Sequence, residues 1–255
     1  PGLLQRHGYC ALIPWQTECA YPAPPGAHSV CQSSVIITIA GLGYRSLDPI
    51  HVTPYSGYMN FVEAIAAAFG VICVWWTIRQ SILCWPTGLL QVLLYVFVFW
   101  KAKLYSDLLL HVVYVLLQIY GWHHWLKGGS NHHALAVTEL RGGVLTVVVA
   151  GVVIISVGWG GIMGTYTNAV LPHLDAFILV LSLSAQILMA LKKVESWYFW
   201  IIVDVLALWV YSSRHLYLTT GLYALFLVMA VLGLREWKRS MTRERKASEM
   251  VAVAT

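Results

Sequence analysis

Residues 197–211 read WYFWIIVDVLALWVY. A single acidic residue, Asp204, stands among fourteen apolar or aromatic ones. With its serine flanks the run approaches the roughly 20 residues that carry a helix across a bilayer. A carboxylate near mid-span costs about 2.5–3.5 kcal/mol or more, so such a residue tends to mark a site or a pathway. Trp197, Trp200, Asp204 and Tyr211 recur at i, i+3, i+7 and i+14, which places them on one helical face.

The rest of the chain has the same character. Of 255 residues, 59% are hydrophobic and only 11% are charged. A soluble domain carries about 25% charged residues, and so few charges could not cover a soluble surface. Neither an ordinary cytosolic enzyme nor a disordered chain fits. From Met59 onward the apolar runs predict seven spans, at about 61–78, 82–100, 105–125, 143–160, 173–191, 197–213 and 216–234. Only helices satisfy their backbone groups inside lipid when the sequence reads this way.

Lys and Arg set the expected orientation. If the first span starts outside, eleven of the basic residues after Met59 fall on the inner side and only Lys101, Lys103 and Arg214 fall outside. The C-terminal tail, 241–255, is then a basic cytoplasmic segment suited to lipid headgroups; a nucleic-acid partner is not expected.

Compared with itself, the chain repeats at an offset of 112 residues. Trp85 falls on Trp197, Leu104-Tyr105 on Leu216-Tyr217, Gly121 and Trp125 on Gly233 and Trp237, and Glu63 on Asp175. The repeat joins spans 1–3 to spans 5–7 and leaves span 4 as a linker, a 3+1+3 arrangement of parallel repeats. Such repeats, related by an axis along the membrane normal, are a transporter architecture with the site between the halves.

Two further spans carry polar stripes. Asp107, His111, Tyr114 and Gln118 share a face of span 3, and Asp175, Ser182 and Gln186 share a face of span 5. Interhelical hydrogen bonding is the plain alternative to a binding role for these amides and hydroxyls. Asp107 and Asp175 lie near helix ends, where capping or an interfacial position is at least as good a reading. Trp75, Trp76, Trp100, Trp122, Trp125 and Trp237 lie near span ends and read as interface anchors. The expected substrate-binding set is Trp197, Trp200, Asp204, His111, Tyr114, Gln118 and Gln186. Indole faces attract a desolvated cation, and a carboxylate accepts hydroxyl hydrogen bonds or offsets positive charge. A flat, cationic, hydrogen-bonding solute suits such a cavity. Pro86, Gly88 and Pro172 are candidate hinge points.

The chain resembles the PnuC-type nicotinamide riboside transporters. The resemblance rests on Lys103-Leu-Tyr-Ser-Asp107, Tyr120-Gly-Trp122 with Trp125, Ser182-x-x-Ala-Gln186, Trp197-x-x-Trp200-x-x-x-Asp204, Tyr217-Leu-Thr-Thr-Gly-Leu-Tyr-Ala-Leu-Phe, Gly233-Leu-Arg-Glu-Trp237 and the Trp85-Pro-x-Gly88 turn. It covers about residues 59–240. It implies an all-α, seven-helix membrane protein with the fold of the sugar-transporting SWEET proteins. It also implies facilitated diffusion of nicotinamide riboside, with Trp197, Trp200 and Asp204 as substrate-site residues and no cofactor. His111 departs from the glutamine expected at its position, so thiamine or riboflavin stays open as an alternative vitamin. The plasma (inner) membrane is the expected location, and a homo-oligomer is compatible with the sequence.

Residues 1–58 are of another kind. They hold seven of the nine prolines and three of the five cysteines, and they include the breaker cluster YPAPPG at 21–26. A poorly ordered extension, with Met59 as the natural start of the transporter domain at 59–240, is the expectation. Cys10, Cys19 and Cys31 lack the spacing of a metal site, and an external disulfide is the remaining use for them.

Two rival functions fit the sequence less well. A metal-binding membrane enzyme draws on His123, His124, His132 and His133, but adjacent pairs do not converge as ligands with a supporting shell must. A seven-helix receptor or photosensor lacks a bundle lysine for a Schiff base and leaves the repeat unexplained.

Overall fold

The computed structural model describes residues 54–102, 105–128, 135–166, 171–213 and 215–254. Cys10, Cys19 and Cys31, the extension before residue 54, and Lys103, His132, His133 and Arg214 lie outside the described residues. Seven α-helices follow in chain order: α1 Pro54–Ile78, α2 Cys84–Ala102, α3 Tyr105–Lys127, α4 Gly142–Tyr166, α5 Pro172–Ala190, α6 Ser196–Ser213 and α7 Tyr217–Ala254. All but α3 are long and apolar enough to cross a membrane. α3 carries Asp107, His111 and Gln118 and is the polar member, yet its 23 residues reach about 34 Å at 1.5 Å per residue.

Pro86 and Pro172 do not kink their helices. Each stands in a first turn, where a missing N–H costs nothing because the first four are unpaired anyway. They stand where α2 and α5 start. α1 begins at Pro54, inside the segment expected to be an extension, and α7 runs unbroken to Ala254, so the basic tail continues the last span as helix.

The burial pattern follows the sequence stripes. In α6, Trp197, Val203, Asp204, Ala207 and Tyr211 are buried, while Tyr198, Ile202, Val205 and Trp209 form an exposed apolar face. That face is the one free to meet lipid. α4 buries only Val152, Ser156, Gly160 and Met163, at helical spacing, and packs on α5.

Several positions 112 residues apart share local geometry. α1 and α5 both end in a left-handed residue, Gln80 at φ 54° and Lys192 at φ 55°. Ser81 N–H donates to Trp76 O and Gln80 N–H to Thr77 O; Lys193 N–H donates to Leu188 O and Lys192 N–H to Met189 O, in the same pattern. These are paired Schellman motifs, which satisfy carbonyls left over at a helix C-terminus. Gly121 lies against the ring of Trp85, and Gly233 against the ring of Trp197, so closely that a Cβ would overlap the indole at either position. Contacts between the halves match as well: α1 packs on α7, and α3 on α5. Under the offset these are one contact made twice.

One feature has no counterpart among the described residues. Residues 135–140 form a strap across the α5–α6 turn. Thr138 N–H donates to Lys192 O, and Val194 N–H to Thr138 O. Leu140 N–H donates to Glu195 Oε1, Lys193 Nζ to Thr138 Oγ1, and Lys192 Nζ to Leu135 O. Burial pulls the Lys192 ammonium below the usual lysine range, and the Glu244 carboxylate opposes that shift.

Candidate functional site

A cavity lies on the seam between α1–α3 and α5–α7, toward the end that carries the α1–α2 and α5–α6 turns. The first half contributes Cys73 and Thr77 from α1, Trp85 and Gln91 from α2, and Gln118 from α3. The second contributes Gln186 and Met189 from α5, Trp197, Trp200 and Asp204 from α6, and Tyr223 and Phe226 from α7. None of the lining residues comes from α4, and none is Lys, Arg or His.

Local sequence explains how the groups reach this space. Trp197 sits in the first turn of α6 and Asp204 two turns later, so both point inward while the lipid-facing residues of α6 fill the other side. Gly88 makes room in the opposite wall. A Cβ there would stand 2.5 Å from the Gln118 amide and 2.9 Å from Cys73 Sγ, so a side chain at 88 would have to displace the amide from where it now rests.

Asp204 is 4% exposed and makes no hydrogen bond or ion pair with another described residue. The indole N–H groups of Trp85 and Trp197 are buried and likewise lack a hydrogen-bond acceptor among the described residues. Each unmade bond to a buried polar group costs about 1–3 kcal/mol, which makes such groups unusual outside sites. The wall therefore holds one carboxylate, several amides and three donor-only indoles, two of them with an unpaired N–H, and no fixed cation.

Five of the seven expected residues line this cavity: Trp197, Trp200, Asp204, Gln118 and Gln186. His111 and Tyr114 do not. His111 is packed among Tyr95, Phe99 and Tyr114, with ring centroids 5.5, 4.8 and 6.0 Å away, and its Nδ1 lies 2.9 Å from Asp107 O. Tyr114 donates its hydroxyl hydrogen bond to Ser182 Oγ at 3.1 Å, joining α3 to α5. They share a helical face with Gln118 but lie at other depths, since seven residues of helix separate His111 from Gln118 by about 10 Å. Asp107 and Asp175 are buried and also lie off the cavity.

Sequence reasoning missed Trp85 and Gln91, and it misread two tryptophans. Trp125 is 7% exposed and Trp237 is fully buried, so neither is an interface anchor. Trp75 and Trp100 are well exposed, as anchors are. The available signal for Trp85 was the repeat, which pairs it with Trp197. Among the described residues no three His, Cys, Asp or Glu side chains converge as metal ligands.

A family model described as nicotinamide mononucleotide transporter matches residues 60–239. The nicotinamide riboside transporter PnuC of Escherichia coli is 28% identical over 215 residues, covering 74% of this chain and 90% of that protein. PnuC of Neisseria mucosa is 29% identical over 199 residues, covering 72% and 74%. The riboflavin/roseoflavin transporter RibM of Streptomyces davaonensis is 22% identical over 189 residues, covering 72% and 87%. A crystal structure of the vitamin B3 transporter PnuC superposes with a TM-score of 0.59 at 26% identity, covering 72% of this chain and 83% of that one.

Proposed function

The chain belongs to the nicotinamide mononucleotide transporter family, and from that premise we propose that it carries nicotinamide riboside across the membrane through the cavity between its halves. The observation that carries this reading is Asp204: a buried carboxylate without a cationic partner, on a wall with Trp197 and Trp200. Nicotinamide riboside is a flat pyridinium cation bearing a carboxamide and ribose hydroxyls. Its charge meets Asp204 and the indole faces, and its hydroxyls and amide meet Gln91, Gln118 and Gln186. Its acceptor oxygens suit the unpaired N–H groups of Trp85 and Trp197.

The same chemistry selects against the phosphorylated nucleotide. A phosphate would enter a space with no Lys, Arg or His on its walls and one carboxylate already there. Like charges in a water-poor cavity repel strongly.

The architecture proposed is 3+1+3, SWEET-like, with α4 linking two parallel three-helix units. The matched turns, the matched glycine–indole contacts and the reciprocal α1–α7 and α3–α5 packing support it. Transport follows as rocking of one unit against the other, exposing the central site to each side in turn. The pathway needs no energy source of its own. The basic residues of the turns and of α7 support a cytoplasmic position for the turn end.

Uptake into proteoliposomes tests the substrate. Nicotinamide riboside is expected to enter and to be competed by itself, and nicotinamide mononucleotide to compete at least about tenfold less well. Riboflavin and thiamine are the comparison arms. Preferred uptake of riboflavin would move the chain toward the RibM-like activity.

A further inference from the structure

We propose that Trp125 and Trp237 form the cytoplasmic gate of the transport pathway, closed by a reciprocal pair of indole hydrogen bonds. The proposal rests on the alternating-access reading above and adds which groups must part for the site to open inward. Trp125, near the end of α3, donates its N–H to Ala190 O at 3.1 Å and Met189 O at 3.3 Å, at the C-terminus of α5. Trp237, in α7, donates to Thr77 O at 3.0 Å, at the C-terminus of α1. Thr77 and Met189 are equivalent under the 112-residue offset, as are the two tryptophans. Each half thus caps the other.

The bonds add a second donor to Thr77 O and Met189 O, which each already accept one turn N–H and keep a lone pair open. The last carbonyls of a helix have no intrahelical partner and carry the negative end of its dipole, so a buried N–H is well placed there. In a membrane, interhelical hydrogen bonds and close packing hold helices together in place of the hydrophobic effect.

The two indoles also close the seam physically. Trp125 meets Trp85 edge-on at 5.3 Å, Trp237 meets Trp197 edge-on at 5.5 Å, and Trp125 and Trp237 lie 6.0 Å apart. The four rings make a continuous layer across both halves. Thr77, Trp85, Met189 and Trp197 of the same region line the cavity. A rocking motion that opens this end must separate α3 from α5 and α7 from α1, and so must break both bonds together.

The gate is not symmetric in strength. Lys192 Nζ lies 4.7 Å from the Trp125 ring and is itself tied to the strap at Leu135 O. Its counterpart in the first half is Gln80, which carries no charge. Trp125 is therefore the more firmly held of the pair, and the strap links the gate to the chain between α3 and α4.

The test reads access to Cys73 on the cavity wall. Cys10, Cys19, Cys31 and Cys84 are replaced by Ser, the residue found at the equivalent of position 84 in the second half. The protein is placed in vesicles of known orientation and labelled with a membrane-impermeant methanethiosulfonate. With both indoles present, labelling from the side bearing the α7 tail should be slow. Trp125→Phe with Trp237→Phe keeps two aromatic rings and removes both N–H donors. Labelling from that side should rise by about tenfold or more, with no rise from the other side. Lys192→Met, which leaves every indole in place, should give a smaller rise from the same side and serves if the double variant folds poorly. An unchanged rate from that side in whichever variants fold overturns the gate. Nicotinamide riboside binding to the purified protein is measured alongside. If binding is absent while labelling behaves as expected, the substrate reading fails and the gate stands.

Discussion

Gln80 and Lys192 stand 112 residues apart and hold the same left-handed backbone, with φ of 54° and 55°, at the C-terminal ends of α1 and α5. A residue with a Cβ pays about 1–2 kcal/mol for that conformation, whereas glycine does not. Gln80→Gly should therefore raise the unfolding temperature in detergent. Lys192→Gly relieves the same strain but removes the ammonium from Leu135 O and from the Trp125 ring. It should show no gain, or a loss. Equal stabilisation by both substitutions would mean that the strap contributes nothing to the second half.

The glycine–indole contacts make a second prediction. A methyl group at Gly121 or Gly233 must displace Trp85 or Trp197, which are broad rings in a packed bundle. Overpacking of this kind costs about 1–3 kcal/mol. Gly233→Ala should lower both stability and substrate affinity, because the ring it moves lines the cavity. Gly151→Ala, where nothing lies within 4 Å of an added methyl, is the control: it should leave affinity unchanged and should not lower stability, since alanine is the better helix former.

His111 and Tyr114 lie off the cavity, so their substitution should separate structure from binding. Tyr114→Phe removes the hydrogen bond to Ser182 and should cost about 0.6 kcal/mol of stability, the average for such bonds in membranes. His111→Leu should lower stability through lost ring contacts. The affinity for nicotinamide riboside should stay within about twofold in both, since neither removes a charge-assisted bond to the solute. A tenfold loss in either would place that residue in the site.

Much of the fold is legible because membrane thickness fixes the length of each helix. Apolar runs of that length and the Lys/Arg pattern are enough to find α1 to α7. The repeat is legible through rare residues, Trp and Gly above all. Trp197, Trp200 and Asp204 stand out because a carboxylate is costly at mid-span. Trp85 does not, because a tryptophan near a helix end usually anchors at the lipid interface, and α2 carries no carboxylate to mark a site. The same habit hides Trp125 and Trp237. The sign that these two are buried was the glycine four residues before each, which lets another helix's indole approach. His111 misleads for a geometric reason: a shared face says nothing of depth, and the cavity occupies one level of the bundle.

Substrate recognition turns on Asp204. Equilibrium binding of nicotinamide riboside to the purified protein, read by tryptophan fluorescence, tests it most directly. The wild-type chain should bind with quenching from the indoles of the cavity. Asp204→Asn keeps hydrogen-bonding capacity and loses the charge, and should bind about tenfold more weakly. Asp204→Ala should show no measurable binding while still reaching the membrane. Wild-type affinity in Asp204→Ala would contradict the account.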